Sequence, residues 1–267
     1  MASNSMAIYR STLFSAALSL SLMGTLLPVF PSFAAADLQT IQQRGRLIVA
    51  VKDDIRPLGF RGADGRLQGL EIEVAQRLAQ ELLGRQDAVE WQPVVNQDRL
   101  TAVINGKADI AIAHVTGTSL RSRLVSFSVP YYLDGTALVS RDSSVQRLAD
   151  IGKRSVAVLD GSSAIATLRY RLPDANLISV ASYEAAHALL EKGDAIAFAG
   201  DASVLTGWVS EFPSYRLITP TLTAEPLCIV MPKGLQYEEL RSRINQIIAR
   251  WTAEGWLQER ATHWGLP

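Results

Sequence analysis

Short apolar runs alternate with helix-like segments twice along this chain, and this alternation restricts the folds that are open to it. Residues 47–51 (LIVAV) have the pattern of a buried strand, and residues 69–83 carry apolar side chains at helical spacing up to Gly84. Alternating strands and helices are predicted at 47–51, 69–83, 89–95, 97–105 and 109–113. This β-α-β-α-β order predicts a largely parallel sheet covered by helices.

The same order recurs in the second half of the chain. Strands are predicted at 155–159, 177–180 and 195–199, with helices opening at 161–163 and spanning 183–190. A strand at 226–232 and amphipathic helices at 235–253 and 255–264 follow. The sequence therefore predicts two α/β units, 38–134 and 135–225, without a low-complexity linker between them. Two such units favour a cleft, and clefts between lobes are where ligands bind.

The first 36 residues have the pattern of a secretory signal peptide. Segment 13–27 is apolar, Pro28 and Pro31 interrupt any helix after it, and Ala34-Ala35-Ala36 supplies an A-x-A cleavage site. An uncleaved membrane anchor is the alternative, but Ser, Gly and Pro interrupt the stretch before it reaches the ~20 residues that a membrane span needs. We predict that residues 1–36 are cleaved and that the mature chain is periplasmic and not inserted in the membrane.

Charge and cysteine content exclude several kinds of protein. Lys plus Arg and Asp plus Glu both number 26, so the basic surplus of a nucleic-acid binder is missing. The single cysteine, Cys228, excludes an intramolecular disulfide and lies in an apolar strand, where a thiol is usually inert. His114, His187 and His263 lack metal-ligand spacing. We predict no metal and no cofactor, and a structural role for His114 just before the Thr116 loop.

Four segments together resemble family 3 of the bacterial extracellular solute-binding proteins, the receptors of polar amino-acid ABC importers. These segments are 63–84 (ADGRLQGLEIEVAQRLAQELLG), 105–132 (NGKADIAIAHVTGTSLRSRLVSFSVPYY), 156–164 (VAVLDGSSA) and 193–205 (GDAIAFAGDASVL). The resemblance covers about 44–265. It implies a two-lobed, type II periplasmic-binding-protein fold with the ligand cleft between the lobes. Lobe 1 would comprise 37–134 and 226–267, and lobe 2 would comprise 135–225.

The resemblance also implies which residues bind the ligand. Arg121 would hold the α-carboxylate of an amino acid with its planar fork, and Asp201 would pair with the α-ammonium. Further donors from the two lobes would be Thr116, Thr118, Ser162 and Ser163. The two serines lie at a predicted helix start, where backbone N–H groups are unpaired. Without the resemblance, Arg121 would be a solvated charge and Asp201 a helix cap.

Lobe 1 also carries the residues from which we predict side-chain specificity. Many family members clamp the ligand between two aromatic rings, but the matching positions here are Ile55 and Gln97. Basic amino-acid receptors have an acid at the position of Lys52, and residues 96–99 (NQDR) resemble a stretch of glutamate/aspartate receptors. The hypothesis is glutamate or aspartate, with Lys52 and Arg99 on its distal carboxylate. A neutral or basic ligand is expected instead if the nearby acids face the cleft and Lys52 does not; these acids are Asp53, Asp54 and Asp98.

Other functions remain open on the same fold. Periplasmic cyclohexadienyl or arogenate dehydratases share it and would need a general acid in the cleft. A sensor module is a third possibility, although such modules are usually fused to membrane helices and this chain ends at Pro267. We predict a binding protein rather than an enzyme. It is expected to be a monomer that binds a small amino acid and no nucleic acid, and that partners an ABC permease.

Overall fold

The computed structural model describes residues 35–162, 164–218 and 220–267, so most of the predicted signal peptide lies outside the described residues. The helices are α1 (Leu38–Arg44), α2 (Leu70–Leu83), α3 (Thr101–Ile104), α4 (Ala164–Arg171), α5 (Tyr183–Lys192), α6 (Ala202–Glu211), α7 (Glu238–Ala253) and α8 (Trp256–His263). The strands are β1 (Leu47–Val51), β2 (Asp54–Ile55), β3 (Gly59–Arg61), β4 (Leu67–Gln68), β5 (Val89–Pro93), β6 (Ile110–Ile112), β7 (Ser126–Asp134), β8 (Thr136–Ser140), β9 (Ser155–Leu159), β10 (Asn176–Val180), β11 (Ala197–Asp201), β12 (Arg216–Ile218) and β13 (Glu225–Met231).

Each of two lobes is built on a five-stranded sheet within the described residues. The strand order is β5-β1-β6-β13-β7 in lobe 1 and β10-β9-β11-β8-β12 in lobe 2. In lobe 1, β1 runs parallel to β5 and β6, while β13 is antiparallel to β6 and β7. In lobe 2, β9 runs parallel to β10 and β11, while β8 is antiparallel to β11 and β12. The predicted α/β fold with two lobes is confirmed.

The central strands β1 and β9 are apolar at every position except Ser155, because helices cover both faces of each sheet. In β1, Val49 and Val51 pack in one core with α2 and α7, while Ala50 packs in a second core with α3. In β9, Val158 shares a core with α4, and Ala157 shares another with α5 and α6. This two-sided burial is the reason that LIVAV and SVAVL read as continuous apolar runs and not as alternating patterns.

Several elements differ from the sequence prediction. The helix predicted at 97–105 is a single turn, Thr101–Ile104, because Asn96–Arg99 form the turn that precedes it. Strand β7 was not predicted, since Pro130 and its polar neighbours hide the pattern; β7 lies at the edge of its sheet, where proline is tolerated. Helices α1 and α6 and strands β2, β3, β8 and β12 were also not predicted.

The chain crosses between the sheets at Gly135, between β7 and β8, and again between β12 and β13. From the sequence we expect the hinge between the lobes at two strand crossings near 133–137 and 224–228. A Cβ atom at Gly135 would lie 2.0 Å from the carbonyl oxygen of Thr223, so only glycine permits this approach. The backbone N–H of Thr136 also donates to Thr223 Oγ1 at 2.8 Å. The two crossings therefore support each other directly.

The described residues belong to one compact unit, and the boundary between its lobes at 134/135 and 225/226 stays a prediction. The strands of the two sheets lie on the expected sides of that boundary, except that β13 begins at Glu225. No helix in the described part of the chain is long and apolar enough to cross a membrane.

Candidate functional site

A cavity of about 900 Å³ lies between the two lobes. Its walls include residues that follow the carboxyl ends of β1, β6 and β9, the end of β11, and helices α5 and α6. Ligands of open α/β sheets bind outside the carboxyl ends of the strands. Of the residues predicted to bind a ligand, five line this cavity: Arg99, Thr116, Arg121, Ser162 and Asp201.

Arg121 is held by the loop that precedes it. Its Nη1 donates to the carbonyl oxygen of Thr116 at 2.9 Å, and its backbone N–H donates to Thr118 Oγ1 at 3.3 Å. Thr116 is fixed in turn by a bridge to Leu227 in β13. The bond to Thr116 uses one of the five guanidinium N–H donors, so the others can serve a ligand. Thr118 supports the turn that carries Arg121 and is not itself part of the cavity wall.

Arg99 is anchored by backbone carbonyl groups. Its Nε donates to Asn96 O at 2.9 Å, and its Nη1 donates to Ala113 O at 3.3 Å and to His114 O. Burial, together with the nearby Arg121 guanidinium, lowers the pKa of Arg99. Two guanidinium groups therefore line the same cavity, an arrangement that suits a carboxylate ligand.

Asp201 lies across the cavity from these arginines, at the start of α6. It occupies the N-cap position, but its side chain makes no capping hydrogen bond within the described residues. Its Oδ2 lies 3.6 Å from Nε2 of His114, whose other carboxylate neighbour is Asp134 at 3.2 Å. Burial raises the pKa of Asp201, and the charges of Asp134 and Glu225 add to that effect. The Asp201 carboxylate is therefore not used as a helix cap.

His114 lines the cavity as well, although the sequence analysis gave it a structural role. It adopts a positive φ of 52°, and its backbone N–H donates to the buried Glu71 carboxylate at 2.6 Å. Tyr131 donates its hydroxyl to the same Glu71 oxygen at 2.5 Å. The signal in the sequence was the position of His114, two residues after the carboxyl end of β6.

We expect His114 to make the free energy of unfolding depend on pH. Burial alone would lower the pKa of His114, but its hydrogen bond to Asp134 and the charges of Asp201 and Glu71 raise the pKa above 6.5. The folded state then binds this proton more tightly than the unfolded state. The stabilisation is complete below about pH 6.5 and disappears as pH rises through the raised value.

Urea unfolding of the wild type and of His114→Asn between pH 6 and pH 8.5 measures this effect. The variant should lose the part of the pH dependence that the wild type shows. His263→Asn is the matched control, because His263 is exposed on α8. Identical pH slopes for the wild type and His114→Asn would contradict the expectation.

Three predicted site residues are not part of the described cavity wall, besides Thr118. Lys52 is only 3% exposed; its Nζ donates to Val94 O at 3.1 Å and lies 3.0 Å from Asp54 Oδ1. It is Asp54, and not Lys52, that lines the cavity. Gln97 is exposed outside it, and Ser163 lies outside the described residues. The structure therefore does not bring Lys52 and Arg99 together on one ligand group.

The sequence analysis missed the contribution of two lobe 2 helices. From α5 and from α6 with its C-cap, the wall receives Tyr183, Glu184, His187, Val204, Gly207, Trp208, Glu211 and Phe212. The α6 positions recur every three or four residues, so they share one helix face. The His187 ring stacks on Phe212 at 4.4 Å between centroids and lies 5.6 Å from Trp208. The spacing of the α6 residues in the sequence would have indicated this shared face if a helix had been predicted there.

Lobe 1 touches α6 at Gly207. A Cβ atom there would lie 2.4 Å from the carbonyl oxygen of Arg56 and 3.0 Å from its carbonyl carbon. Arg56 belongs to the loop between β2 and β3, and its guanidinium stacks 3.8 Å from the ring centroid of buried Phe60. This contact leaves room for glycine only, so the approach of the two lobes depends on Gly207.

The cavity places Arg99 and Arg121 on lobe 1 and Asp201 on lobe 2, and this combination suits the two charged groups of a small zwitterion. In the part of the chain that the structure describes, no group of three or more His, Cys, Asp or Glu side chains could hold a metal ion. Burial raises the pKa of Cys228, so its thiol is protonated and unreactive at neutral pH.

Comparison with known sequences gives one family and several relatives. The profile of the bacterial extracellular solute-binding proteins, family 3, matches residues 47–267. The glutamine-binding protein of Geobacillus stearothermophilus is 31% identical over 192 residues, which cover 71% of this chain and 73% of that protein. The glutamate-binding protein GluB of Corynebacterium glutamicum is 26% identical over 233 residues, which cover 82% and 78% of the two chains.

The solved structures that superpose on this chain include amino-acid receptors and binding proteins as well. An ancestral cationic amino acid solute-binding protein superposes with a TM-score of 0.73 and 26% identity, covering 85% of this chain and 98% of that one. The solute receptor for L-cysteine of Neisseria gonorrhoeae superposes with a TM-score of 0.67 and 27% identity, covering 85% and 93%. The relatives named here are binding proteins or receptors by description, and not enzymes.

Proposed function

The chain belongs to family 3 of the bacterial extracellular solute-binding proteins and is an amino-acid-binding protein of an ABC transporter; we propose that it captures its amino acid in the cavity between the lobes and delivers it to the permease. One observation carries the site: Arg121 and Asp201 line the same cavity from opposite lobes. An amino acid has one group for each of them.

The α-carboxylate is the group that lobe 1 binds in this proposal. A carboxylate that leaves water for a closed cleft needs fixed, charged donors, because its desolvation is costly. Arg121 supplies a planar fork that Thr116 orients through its carbonyl oxygen. Arg99 adds a second positive charge in the same wall, and Ser162 reaches the cavity from lobe 2.

The α-ammonium is the group that lobe 2 binds in this proposal. Asp201 offers a carboxylate that is not used as a helix cap. Its nearest positive neighbour is His114 at 3.6 Å, so the ligand ammonium would take the place of a weak and distant partner. A ligand held by Arg121 and Asp201 bridges the lobes, and its binding energy favours the closed arrangement over the open one.

The glutamate or aspartate hypothesis depended on Lys52 and Arg99 as a pair of cations around a distal carboxylate. Lys52 is directed to Val94 and Asp54 instead, and Asp54 lines the cavity. The sequence analysis expects a neutral or basic ligand if the acids near Lys52 face the cleft, and of these acids Asp54 lines the cavity whereas Asp53 and Asp98 do not. We therefore propose that the ligand is an amino acid and that an acidic side chain is not preferred.

Isothermal titration calorimetry tests the proposed function. The predicted mature chain, residues 37–267, is unfolded and refolded to remove carried-over ligand, then titrated with Glu, Asp, Gln, Asn, Arg, Lys and His. We expect a Kd of about 1 μM or below, near −8 kcal/mol, for at least one of them. Absence of binding to the whole panel would overturn the proposal. Arogenate and prephenate turnover would be measured next.

Location and assembly complete the proposal. The family's proteins are extracellular or periplasmic, which agrees with the predicted export of this chain. We propose that a signal peptide at 1–36 is removed and that the mature chain works as a monomer in the periplasm.

A further inference from the structure

The charge of the cavity wall is the observation that goes beyond the proposed function. Among the cavity residues that the structure describes, six carry carboxylates and three carry guanidinium groups, in addition to the imidazole of His114. The carboxylates belong to Asp54, Asp160, Glu184, Asp201, Glu211 and Glu225, and the guanidinium groups belong to Arg56, Arg99 and Arg121. In the proposed function, Asp201 and Arg121 neutralise the two ends of the amino acid. The ligand side chain therefore meets an excess of negative charge.

The remaining cations are poorly placed for an acidic side chain. Arg99 already donates to three backbone carbonyl oxygens, and the Arg56 guanidinium stacks on Phe60. Lys52 is buried and paired with Asp54, which removes one carboxylate from the excess but still leaves more acids than cations. A negatively charged side chain would lose its hydration and find repulsion rather than a fixed partner.

The cavity also extends well past the start of α6. Asp201 lies at the N-cap of this helix, and the cavity wall continues through Val204, Trp208 and Glu211. The seven helical steps from Val204 to Glu211 correspond to about 10 Å along a helix axis. We call this extension the α6 groove, defined by Glu184, His187, Val204, Trp208, Glu211 and Phe212. A side chain that fills it must be long.

The walls of the α6 groove suit a cation. Trp208 is 7% exposed and packs face to face with Phe198 at 5.3 Å between centroids, which fixes its ring. His187 and Phe212 form a second stacked pair beside it. Aromatic faces attract ammonium and guanidinium groups within about 6 Å of the ring. Glu211 on α6 and Glu184 on α5 line the same groove, and the Glu184 carboxylate also accepts a hydrogen bond from Ser182.

We propose that the ligand is an amino acid with a long, positively charged side chain, whose guanidinium or ammonium group lies in the α6 groove near Glu211 and the Trp208 ring. This inference rests on the proposed function, because it assumes that Arg121 and Asp201 hold the two α-groups. It adds a site in lobe 2 for the side chain.

Calorimetry of the protein with L-arginine, L-lysine, L-glutamine and L-glutamate tests the inference. We expect arginine or lysine to bind at least about tenfold more tightly than glutamine, and glutamate to bind most weakly. In Glu211→Gln, the Kd for the cationic ligand should rise about fivefold relative to the Kd for glutamine, since an exposed ion pair contributes up to about 1 kcal/mol. The double variant Glu184→Gln/Glu211→Gln should show a larger rise.

Glu239→Gln is the matched control, because Glu239 is exposed on α7 and lies outside the cavity. It should leave both affinities at their wild-type values. Tightest binding of glutamate or glutamine would overturn the cationic side chain and leave the amino-acid receptor standing. Tight arginine binding that ignores the Glu184 and Glu211 substitutions would overturn the α6 groove. Silence towards all four ligands would instead count against the proposed function itself.

Discussion

Replacing Arg121 with alanine is expected to raise the Kd for every amino acid by at least about 30-fold. The substitution would leave the ligand α-carboxylate in the cavity without its charged fork. Removing one partner of a desolvated, hydrogen-bonded charge pair costs about 2–5 kcal/mol, which corresponds to a Kd about 30 to 5,000 times larger. Because the α-carboxylate is common to all amino acids, the loss should be independent of the side chain.

Arg123→Ala is the control for this experiment. Arg123 lies in the same helical turn, Arg121–Arg123, but is exposed and outside the cavity wall. It should bind ligand as the wild type does. Arg121→Lys gives a second comparison, because it keeps the charge and loses the fork; binding should be weak but recoverable at high ligand concentration. Wild-type affinity in Arg121→Ala, measured by calorimetry, would remove Arg121 from the site.

Replacing Gly207 with valine is expected to weaken binding of every ligand by a different route. Even the Cβ atom of the new side chain would lie 2.4 Å from the carbonyl oxygen of Arg56, so the β2–β3 loop and α6 must move apart. Overpacking of this kind costs about 1–3 kcal/mol, or roughly a 5- to 150-fold rise in Kd. The contact joins the two lobes, so the cost is highest when the lobes are closed.

Two measurements separate this effect from misfolding. Calorimetry gives the loss of affinity, and small-angle X-ray scattering should show that ligand reduces the radius of gyration less in Gly207→Val than in the wild type. Ser210→Val is the matched control, since it introduces the same β-branched residue on the exposed side of α6. Unchanged affinity and unchanged compaction in Gly207→Val would show that this contact does not limit closure.

The parts of the site that sequence could predict are those fixed by local pattern. Arg121 and Asp201 stand in segments whose order and spacing resemble the family, and both line the cavity. Thr116 and Ser162 also line it. Their ligand contacts stay predictions until binding is measured. Lys52 donates to Val94 O and does not line the cavity, because a sequence position next to a cleft does not say whether a side chain turns inward to the backbone or outward to a ligand.

The sequence by itself determined the architecture, because a strand that is covered on both faces must be predominantly apolar and the apolar residues of an amphipathic helix must recur every three to four positions. It thereby determined the two α/β units, their order and the strands whose carboxyl ends carry the site.

Only the tertiary structure decided which charges share the cavity. His114 approaches Asp201, and Arg56 contacts Gly207, although the residues of each pair are remote in sequence. Lys52 and Asp54 are close in sequence, but the sequence does not show that their side chains pair. Electrostatic interactions depend on distance and burial in three dimensions, and neither is encoded in a local pattern of residues.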